Sequence, residues 1–274
     1  MPSIITLTTD FGSSNIYVAS LKGVILSINP KANIVDICHC IKPGNIAEGA
    51  FLIATAYPHF PRGTIHVIVI DPGVGSERKL VILKTPLAFF LAPDNGVLSY
   101  IINDLCPSSS PISPDLKQRK LGKQIEATAI TNPRFWRQSV STTFHGRDIL
   151  APVAAHLSLD TPINEFGSKI TSLNAFPIPQ PHFDAQGNLI GQIIHIDHFG
   201  NLITNVKGAN LPEKEITFNI GAQSIPNLSH FYAQGKGLMA ITGSSGHLEI
   251  SLKDGNACTF LNAAVGDEVK IKYK

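Results

Sequence analysis

The N-terminal half of the chain alternates between short apolar runs and segments with helical spacing. Apolar runs at Ile4–Thr8, Asn33–Cys38 and His66–Ile70 have the length of buried strands. Between them, apolar residues recur every three or four positions over Tyr17–Ile28 and Ile46–Tyr57. A proline follows shortly after each of these two segments, so the pattern predicts two helices that end there.

The same alternation continues further along the chain. A hairpin is predicted over Leu80–Leu83 and Phe89–Ala92, and further helices are predicted over Val97–Asn103 and Asp148–Leu157. Strands that alternate with helices are typical of a layered α/β domain with a largely parallel sheet.

The pattern changes at the proline-rich segment Phe176–Pro181, which is unsuited to a helix or a central strand. Short runs of alternating polarity follow, separated by Gly, Asn and Asp: Leu189–Ile196, Ile216–Ile220, Leu238–Thr242, Leu248–Leu252 and Glu268–Tyr273. Such runs are typical of a small antiparallel barrel or sandwich. We therefore predict an α/β domain over residues 1–178 and a C-terminal β domain over residues 185–274.

Composition narrows the class of protein. Only 15% of the 274 residues are charged, which favours surface buried by self-association. The formal charge of +2 comes without a basic cluster, so a nucleic-acid partner is not expected. No apolar stretch approaches the roughly 20 residues that cross a bilayer, and no secretory leader pattern is present. The four scattered cysteines do not form a disulfide framework. We expect a cytoplasmic protein without a membrane partner.

A glycine-rich turn with an acid and a base follows the third apolar run. Asp71 stands directly after Ile70, and Arg78 follows Gly73 and Gly75 in the same loop. Open α/β sheets bind ligands at the carboxyl ends of their strands, and the glycines favour close approach to the backbone. The loop predicts a small-molecule site with Asp71 and Arg78 as a charge pair. A buried ion pair that holds the turn is the alternative.

Three more polar clusters accompany the predicted elements. After the first strand, Asp10 could accept both hydroxyls of a ribose, although Ser13–Asn15 could equally cap the following helix. Asp94–Gly96 has the composition of an ordinary turn. The segment His145–Asp148 brings a histidine, an arginine and an aspartate to the start of a helix, which favours a functional role.

The C-terminal domain offers a weaker set. His195, Asp197 and His198 could in principle bind a metal, but on a strand His198 points away from the face that the other two share. Gly243–Gly246 is a polar turn that could hold a carboxylate. Cys38–Cys40 lacks a second pair of metal ligands, so we assign it to core and loop.

Several common signatures are absent from the sequence. It has no glycine-lysine phosphate loop, no GxGxxG with a following acid, no GxSxG and no HExxH. Nucleoside-triphosphate, dehydrogenase, serine-hydrolase and zinc-protease functions therefore lose support.

Five motifs nevertheless occur together in one order: Thr9–Gly12, Asp71–Gly75, Ala92–Gly96, Thr143–Asp148 and Asp197–Asn201. In this combination the chain resembles the S-adenosylmethionine hydroxide adenosyltransferases, which are hydrolytic relatives of the fluorinating and chlorinating adenosyl enzymes. The resemblance implies an N-terminal α/β domain, a C-terminal β-barrel and a homotrimer. It also implies a ligand between the N-domain of one subunit and the C-domain of its neighbour.

The resemblance implies roles for individual residues. The catalytic triad of the family corresponds to Asp71, Arg78 and His145. The implied substrate-binding residues are Asp10 for the ribose, Asp197, Phe199 and Asn201 for the methionine end and the adenine, Ser244 for the carboxylate, and also Asn15 and Ala257. No metal ligand and no cofactor is implied.

Three positions bear on the branch of the family. The halogenating relatives carry a tyrosine–serine pair where this chain has His145–Gly146, and they lack the aspartate at the position of Asp71. The hydrolytic set is therefore present here. Asn15 stands where members often have an acid, which removes a negative charge near the expected ammonium group of the ligand.

The implied reaction is hydrolysis of S-adenosyl-L-methionine to adenosine and L-methionine, by metal-free attack of water or hydroxide at the ribose 5′ carbon. Three alternatives stay open. One is adenosyl transfer to a halide, another is a sensor that binds adenosine or S-adenosylmethionine without turnover, and the third is a metal-dependent hydrolase.

Overall fold

The computed structural model describes residues 3–107, 116–211 and 215–273. The chain divides into two compact units, Met1–Ile178 and Pro179–Lys274. Within the described ranges, no helix combines the length and the apolar character needed to span a membrane.

The first unit is an α/β domain. Its strands are Ile4–Thr9 (β1), Asn33–Cys38 (β2), Thr64–Val69 (β3), Leu80–Lys84 (β4), Ala88–Pro93 (β5), Lys117–Lys120 (β6), Glu126–Ala129 (β7), Lys169–Ile170 (β8) and Ser172–Ala175 (β9). Its α-helices are Tyr17–Ile28 (α1), Ile46–Ala56 (α2), Ser99–Leu105 (α3) and Ala151–Leu157 (α4). A π-helical turn, Gly146–Leu150, runs directly into α4.

The main sheet of this domain has the strand order β2-β1-β3-β5-β4-β7-β8. Its pairs are parallel from β2 to β5 and antiparallel from β5 to β8. The expectation of a largely parallel sheet is therefore wrong for the second half. The short β4–β5 connection can only join antiparallel neighbours, and the sequence pattern did not reveal β7 or β8.

Helices cover both faces of the sheet. On one face, Leu21 of α1 and Val153 of α4 pack in one buried cluster with Val67 of β3. On the other face, Ile53 of α2 and Ile101 of α3 belong to a second buried cluster. Because β3 is covered on both faces, all six of its residues are buried, which explains its continuous apolar run.

The second unit is a small barrel-like domain. Its strands are His182–Phe183 (β10), Leu189–Ile196 (β11), Leu202–Lys207 (β12), Ile216–Ile220 (β13), Gln223–Pro226 (β14), Leu228–Ser229 (β15), Leu238–Thr242 (β16), His247–Leu252 (β17) and Glu268–Tyr273 (β18), with the helix Ala257–Leu261 (α5). The strand order is β14-β13-β18-β11-β12-β17-β16-β15, and β10 pairs with β11.

The two end strands of this sheet, β14 and β15, are consecutive in the chain. Asn227 joins them with a φ of 58°, so the sheet curls back on itself and is nearly closed. Buried side chains such as Phe218, Leu248 and Ile271 fill its interior. The predicted fold class, a layered α/β domain followed by a small antiparallel β-barrel, is confirmed, although the short strand β15 pairs with β16 in parallel.

His66 is fully buried in β3, so its charged form is disfavoured. Its Nδ1 lies 2.7 Å from the hydroxyl oxygen of Thr6, and its ring stacks on Phe90 with 5.1 Å between centroids. Burial lowers the pKa of His66 from 6.5 to about 4. Between these values the unfolded chain binds a proton that the folded protein does not bind, so the free energy of unfolding falls as the pH drops.

We expect the wild-type protein to lose about 3 kcal/mol of unfolding free energy between pH 7 and pH 4, relative to the variant His66→Phe. Phenylalanine keeps a ring against Phe90 but does not titrate. Denaturant unfolding of both proteins between pH 7 and pH 4 measures this difference in unfolding free energy. The contributions of titratable groups that both proteins share cancel in the comparison. If the free energies of unfolding of the two proteins change equally with pH, His66 makes no such contribution.

Candidate active site

Loops that follow neighbouring strands meet at one edge of the α/β sheet. The strands β1, β3 and β5 are parallel, and Asp10, Asp71 and Asp94 stand directly after them or close behind. The loop after β2 joins this edge, because the Gly44 N–H donates to Oδ2 of Asp10 at 2.7 Å. A Cβ on Gly44 would lie 3.5 Å from Cβ of Pro72, so the Gly44 loop also lies against the loop that carries Asp71.

Arg78 links Asp71 to His145. Its Nε donates to Oδ1 and Oδ2 of Asp71 at 2.8 and 2.9 Å, and its Nη2 donates to Oδ2 as well. The same Nη2 lies 3.0 Å from Nδ1 of His145. The side chains of Arg78 and Asp71 are only 11% and 8% exposed, so these charges interact with little screening by water. The predicted charge pair therefore forms, and a histidine joins it.

The arginine determines which ring nitrogen of the histidine carries the proton. A guanidinium group can only donate, so Nδ1 of His145 accepts from Arg78 and the neutral ring carries its proton at Nε2. Burial and the charge of Arg78 lower the pKa of His145, although Asp71 and Asp148 partly oppose this. The ring is neutral at pH 7 and offers Nε2–H as a donor.

Asp148 holds the segment that carries His145. Its buried carboxylate accepts from Arg137 Nη1 at 3.0 Å, from Arg147 Nε at 2.7 Å and from the Ser141 N–H at 2.9 Å. Burial raises the pKa of Asp148, but the bonds from Arg147, Ser141 and Arg137 outweigh it and keep the pKa below its ordinary value. The ionised carboxylate fixes the backbone on both sides of the histidine.

Gly146 allows the π-helical turn to lie directly against β3. A Cβ at this position would lie 2.7 Å from Cγ1 of Val69, which is closer than real Cβ contacts. A methyl group of Val69 therefore occupies the space that a side chain at position 146 would need.

We expect Gly146→Ala to lower the free energy of unfolding by about 1–3 kcal/mol because of this overlap. In an ordinary helix the same change raises stability, so the sign is informative. In the double variant Gly146→Ala/Val69→Ala, the total loss of unfolding free energy should be smaller than the sum of the two single losses. Denaturant unfolding of the four proteins measures this coupling, and strictly additive costs would contradict the packing argument.

The Asp94–Gly96 cluster forms a turn, as its composition predicts. Asp94 is buried and its Oδ1 accepts from the Asn174 N–H at 2.7 Å; burial raises its pKa. Asn95 Nδ2 donates to the carbonyl of Ile70 at 2.8 Å, and Gly96 has a φ of 98°. The turn thus stabilises the position of the backbone immediately before Asp71.

An aromatic cluster includes the residue that precedes His145. Phe11, Tyr17 and Phe144 contact one another with 5.4–5.5 Å between ring centroids. The guanidinium of Arg147 lies over the ring of Phe144 at 4.9 Å. Asn15 lies in the exposed stretch between Phe11 and Tyr17. In the first domain, an apolar aromatic surface therefore lies next to the segment that carries His145.

The second domain gathers several of the implied binding residues in one turn. Asp197 Oδ1 accepts from the N–H groups of Phe199 and Asn201 at 2.9 and 2.8 Å, and Oδ2 accepts from the Asn201 side chain at 2.9 Å. The Phe199 ring is 73% exposed. Ala257 lies beside this turn, because the adjoining Cys258 N–H donates to the Gly200 carbonyl. Ala257 is fully buried, backbone included.

Ser244 lies in a separate exposed turn, Gly243–Gly246. The carboxylate of Glu249 packs against Gly243 at the base of this turn. The Tyr232 hydroxyl donates to Oε2 of Glu249 at 2.9 Å. Burial and the charge of Asp197 both raise the pKa of Glu249, while the Tyr232 hydroxyl lowers it. Glu249 therefore belongs to the surroundings of Asp197 and Ser244, although the sequence pattern singled out neither it nor Tyr232.

The structure thus brings Asp71, Arg78 and His145 together with Asp10 nearby in the first domain, and Asp197, Phe199, Asn201 and Ala257 together in the second. His39, which the sequence assigned only to core and loop, lies against the Asp10 loop. Across residues 3–107, 116–211 and 215–273, no group of three or more His, Cys, Asp or Glu side chains is placed to hold a metal ion.

Comparison with known proteins assigns the class to which this fold and site belong. The model of the SAM hydroxide adenosyltransferase N-terminal domain matches residues 5–167, and that of the C-terminal domain matches residues 191–270. The chain belongs to the SAM hydroxide adenosyltransferase family.

Individual relatives agree with this assignment. The chain is 34% identical to the (R)-S-adenosyl-L-methionine hydrolase of Methanocaldococcus jannaschii, over 98% of this chain and 96% of that protein. It is 29% identical to the fluorinase of an Actinoplanes species, over 78% of this chain and 75% of that protein. The crystal structure of an uncharacterized conserved protein from Thermotoga maritima superposes with a TM-score of 0.84 at 30% identity, over 98% of this chain and 99% of the other.

Proposed function

We propose that this protein hydrolyses S-adenosyl-L-methionine to adenosine and L-methionine, by attack of water at the ribose 5′ carbon. The observation that carries the proposal is the network in which Arg78 donates to both Asp71 and His145 at the edge of the sheet. The relatedness to named hydrolases over nearly the full chain supports the same reaction.

The chemistry makes specific demands on the protein. The sulfonium group already makes the 5′ carbon electrophilic, and methionine leaves as a neutral thioether, so no acid has to protonate the leaving group. Water is a poor nucleophile because its pKa is about 15.7. The site therefore has to orient a water molecule and stabilise the hydroxide character that develops as the water attacks.

The residues of the network are suited to this task. Nε2–H of His145 can donate to the oxygen of the water and so orient a lone pair towards carbon. The positive charge of Arg78 stabilises the developing negative charge, an effect worth about 10²- to 10³-fold for one well-placed donor. Oδ1 of Asp71 accepts one bond from Arg78, and a carboxylate oxygen can accept a second, here from the water. As the carbon–oxygen bond forms and the carbon–sulfur bond breaks, the proton of the water passes to Asp71 and from there to solvent.

The remaining residues fit the parts of the substrate. Oδ2 of Asp10 accepts from Gly44, which leaves Oδ1 and the second lone pair of Oδ2 for the two ribose hydroxyls. We assign the methionine end and the adenine to Asp197, Phe199, Asn201 and Ser244, with Asn15 and Ala257 as further contacts. Catalysis is proposed to need no metal ion.

We further propose a homotrimer, with each substrate held between the N-domain of one subunit and the C-domain of its neighbour, in the cytoplasm. Exposed apolar side chains support self-association: Ile16 and Tyr17 in the first domain are 76% and 45% exposed, and Phe199 and Phe231 in the second are 73% and 59% exposed. The low share of charged residues, 15%, points the same way.

Two alternative functions receive less support from the structure and the sequence. Adenosyl transfer to a halide is disfavoured because Val69 fills the space beside Gly146, where the halogenating relatives have a serine. A non-catalytic sensor is favoured only by Asn15, which replaces an acid that would attract the ammonium group of the ligand.

The proposal is tested by incubating the purified protein with S-adenosyl-L-methionine, with and without EDTA and chloride, and separating the products by chromatography. Adenosine and methionine in equal amounts under all conditions would support hydrolysis. A 5′-halogenated nucleoside would instead indicate halide transfer, and loss of activity in EDTA would indicate a metal-dependent hydrolase. Unchanged substrate together with a raised melting temperature would indicate a sensor.

A further inference from the structure

A chain of three side chains lies behind the loop that carries Asp10. Oγ1 of Thr9 lies 2.9 Å from Nδ1 of His39, and Nε2 of His39 lies 3.1 Å from Oδ1 of Asp36. Lys22 pairs with the other oxygen of that carboxylate. Thr9 immediately precedes Asp10 and is fully buried. The Thr9 hydroxyl is therefore not exposed to a ligand, and these three side chains act on the site through the loop that carries Asp10.

The partners of His39 determine which ring nitrogen carries the proton. The carboxylate of Asp36 can only accept, so it faces a donor when Nε2 of His39 carries the N–H, and in that tautomer Nδ1 accepts from the Thr9 hydroxyl. Oγ1 of Thr9 also accepts from the backbone N–H of Phe11 at 3.3 Å. Hydrogen bonds thus link Phe11, Thr9 and Nδ1 of His39. On the other side of the ring, Nε2 lies within ion-pair distance of Asp36 but makes no hydrogen bond of good geometry.

The backbone of the His39 loop holds the same turn from its other side. The His39 carbonyl accepts from the Gly12 N–H at 2.7 Å, and the Gly44 N–H donates to Oδ2 of Asp10 at 2.7 Å. The turn between Asp10 and Gly12 is therefore fixed by side chain and backbone together. The orientation of the Asp10 carboxylate depends on where this loop lies.

We propose that His39 is the positioning residue for the ribose-binding carboxylate of Asp10. A ribose presents two adjacent hydroxyls. A carboxylate accepts hydrogen bonds of good geometry from both only when its position and its orientation are fixed. His39 holds them through Thr9 on one side and through its own carbonyl on the other. This inference rests on the proposed function, in that the ligand contains adenosine with both ribose hydroxyls.

The test compares two nucleosides by calorimetric titration of the full-length protein. Adenosine has both hydroxyls, whereas 2′,3′-dideoxyadenosine has neither. We expect His39→Ala to weaken adenosine binding about 10-fold and to change dideoxyadenosine binding by less than about 2-fold. In turnover of S-adenosyl-L-methionine, the same variant should raise KM with little change in kcat.

Three further variants sharpen the comparison. His39→Asn keeps an acceptor near the position of Nδ1 and should recover much of the lost affinity for adenosine. Thr9→Val removes the hydroxyl at nearly constant volume and should reproduce the selective loss. Cys40→Ala changes an exposed neighbour in the same loop and should leave both affinities unchanged.

Two results would overturn the inference. Equal weakening of both nucleosides would mean that His39 only maintains the fold of the domain, and unchanged adenosine binding would mean that Asp10 keeps its position without it. If His39→Ala does not fold, His39→Asn and Thr9→Val decide between these outcomes. The wild-type titration is made first, because a wild-type protein that binds adenosine no better than dideoxyadenosine gains nothing from the ribose hydroxyls, which overturns this inference. The proposed function is judged separately, by turnover of S-adenosyl-L-methionine.

Discussion

Replacing Arg78 with alanine is expected to lower kcat by at least about 10³-fold, while the affinity for S-adenosyl-L-methionine stays within a few fold of the wild type. Arg78 supplies the positive charge of the network, and its Nη2 bonds to both Asp71 and His145. Without it, the developing hydroxide loses its stabilising charge, and Asp71 is left as an uncompensated buried carboxylate. Single-turnover kinetics and calorimetric binding measure the two quantities separately.

Two matched variants identify the cause of the loss. Arg78→Lys keeps the charge, but a single ammonium cannot reproduce the forked contacts with Asp71 and His145, so it should recover only part of the activity. Lys79→Ala removes an exposed charge at the next position and should leave kcat unchanged. Turnover by Arg78→Ala at a rate near that of the wild type would remove this residue from the mechanism.

Replacing Asp148 with alanine is expected to lower the free energy of unfolding by about 3 kcal/mol and to reduce kcat as well. The change removes the buried acceptor of four hydrogen bonds, and it leaves Arg137, Arg147 and the Ser141 N–H without their shared partner. Because the same segment carries His145, the histidine should lose its fixed distance to Arg78. Denaturant unfolding and steady-state kinetics measure the two effects.

Asp148→Asn and Arg134→Ala serve as controls for this prediction. Asparagine keeps the shape and one acceptor oxygen, so it should show a smaller loss of stability than alanine. Arg134 is an exposed arginine nearby in the chain, and its removal should have little effect. If Asp148→Ala were as stable and as active as the wild type, the segment would have to be held by other contacts.

Much of the first domain could be predicted because its signals are local. The run that forms β3 is continuous and apolar, and Asp71 and Arg78 lie seven positions apart in one glycine-rich loop, so their pairing followed from the sequence. The sequence pattern did not predict the short strands β6–β9 of the first domain or β10, β12, β14 and β15 of the second. β7 and β8 span only Glu126–Ala129 and Lys169–Ile170, and β12 contains Thr204 and Asn205, which interrupt its apolar pattern.

The candidate site was harder to derive because its contacts join distant positions. His145 lies 67 positions from Arg78, and no local pattern connects them; the family resemblance supplied that pairing. The contact of Gly146 with Val69 depends on how closely a helix approaches the sheet, which sequence spacing does not encode. His39 was overlooked because its motif was tested only as a metal site, whereas its partners are Thr9 and Asp36.

The central claim is that water attacks the ribose 5′ carbon of S-adenosyl-L-methionine. It is tested most directly by incubating the purified protein with this substrate and EDTA in oxygen-18 water and analysing the products by mass spectrometry. We predict one oxygen-18 atom at the 5′ position of the released adenosine, together with unlabelled methionine. Adenosine without the label, or intact substrate after prolonged incubation, would contradict the proposed reaction.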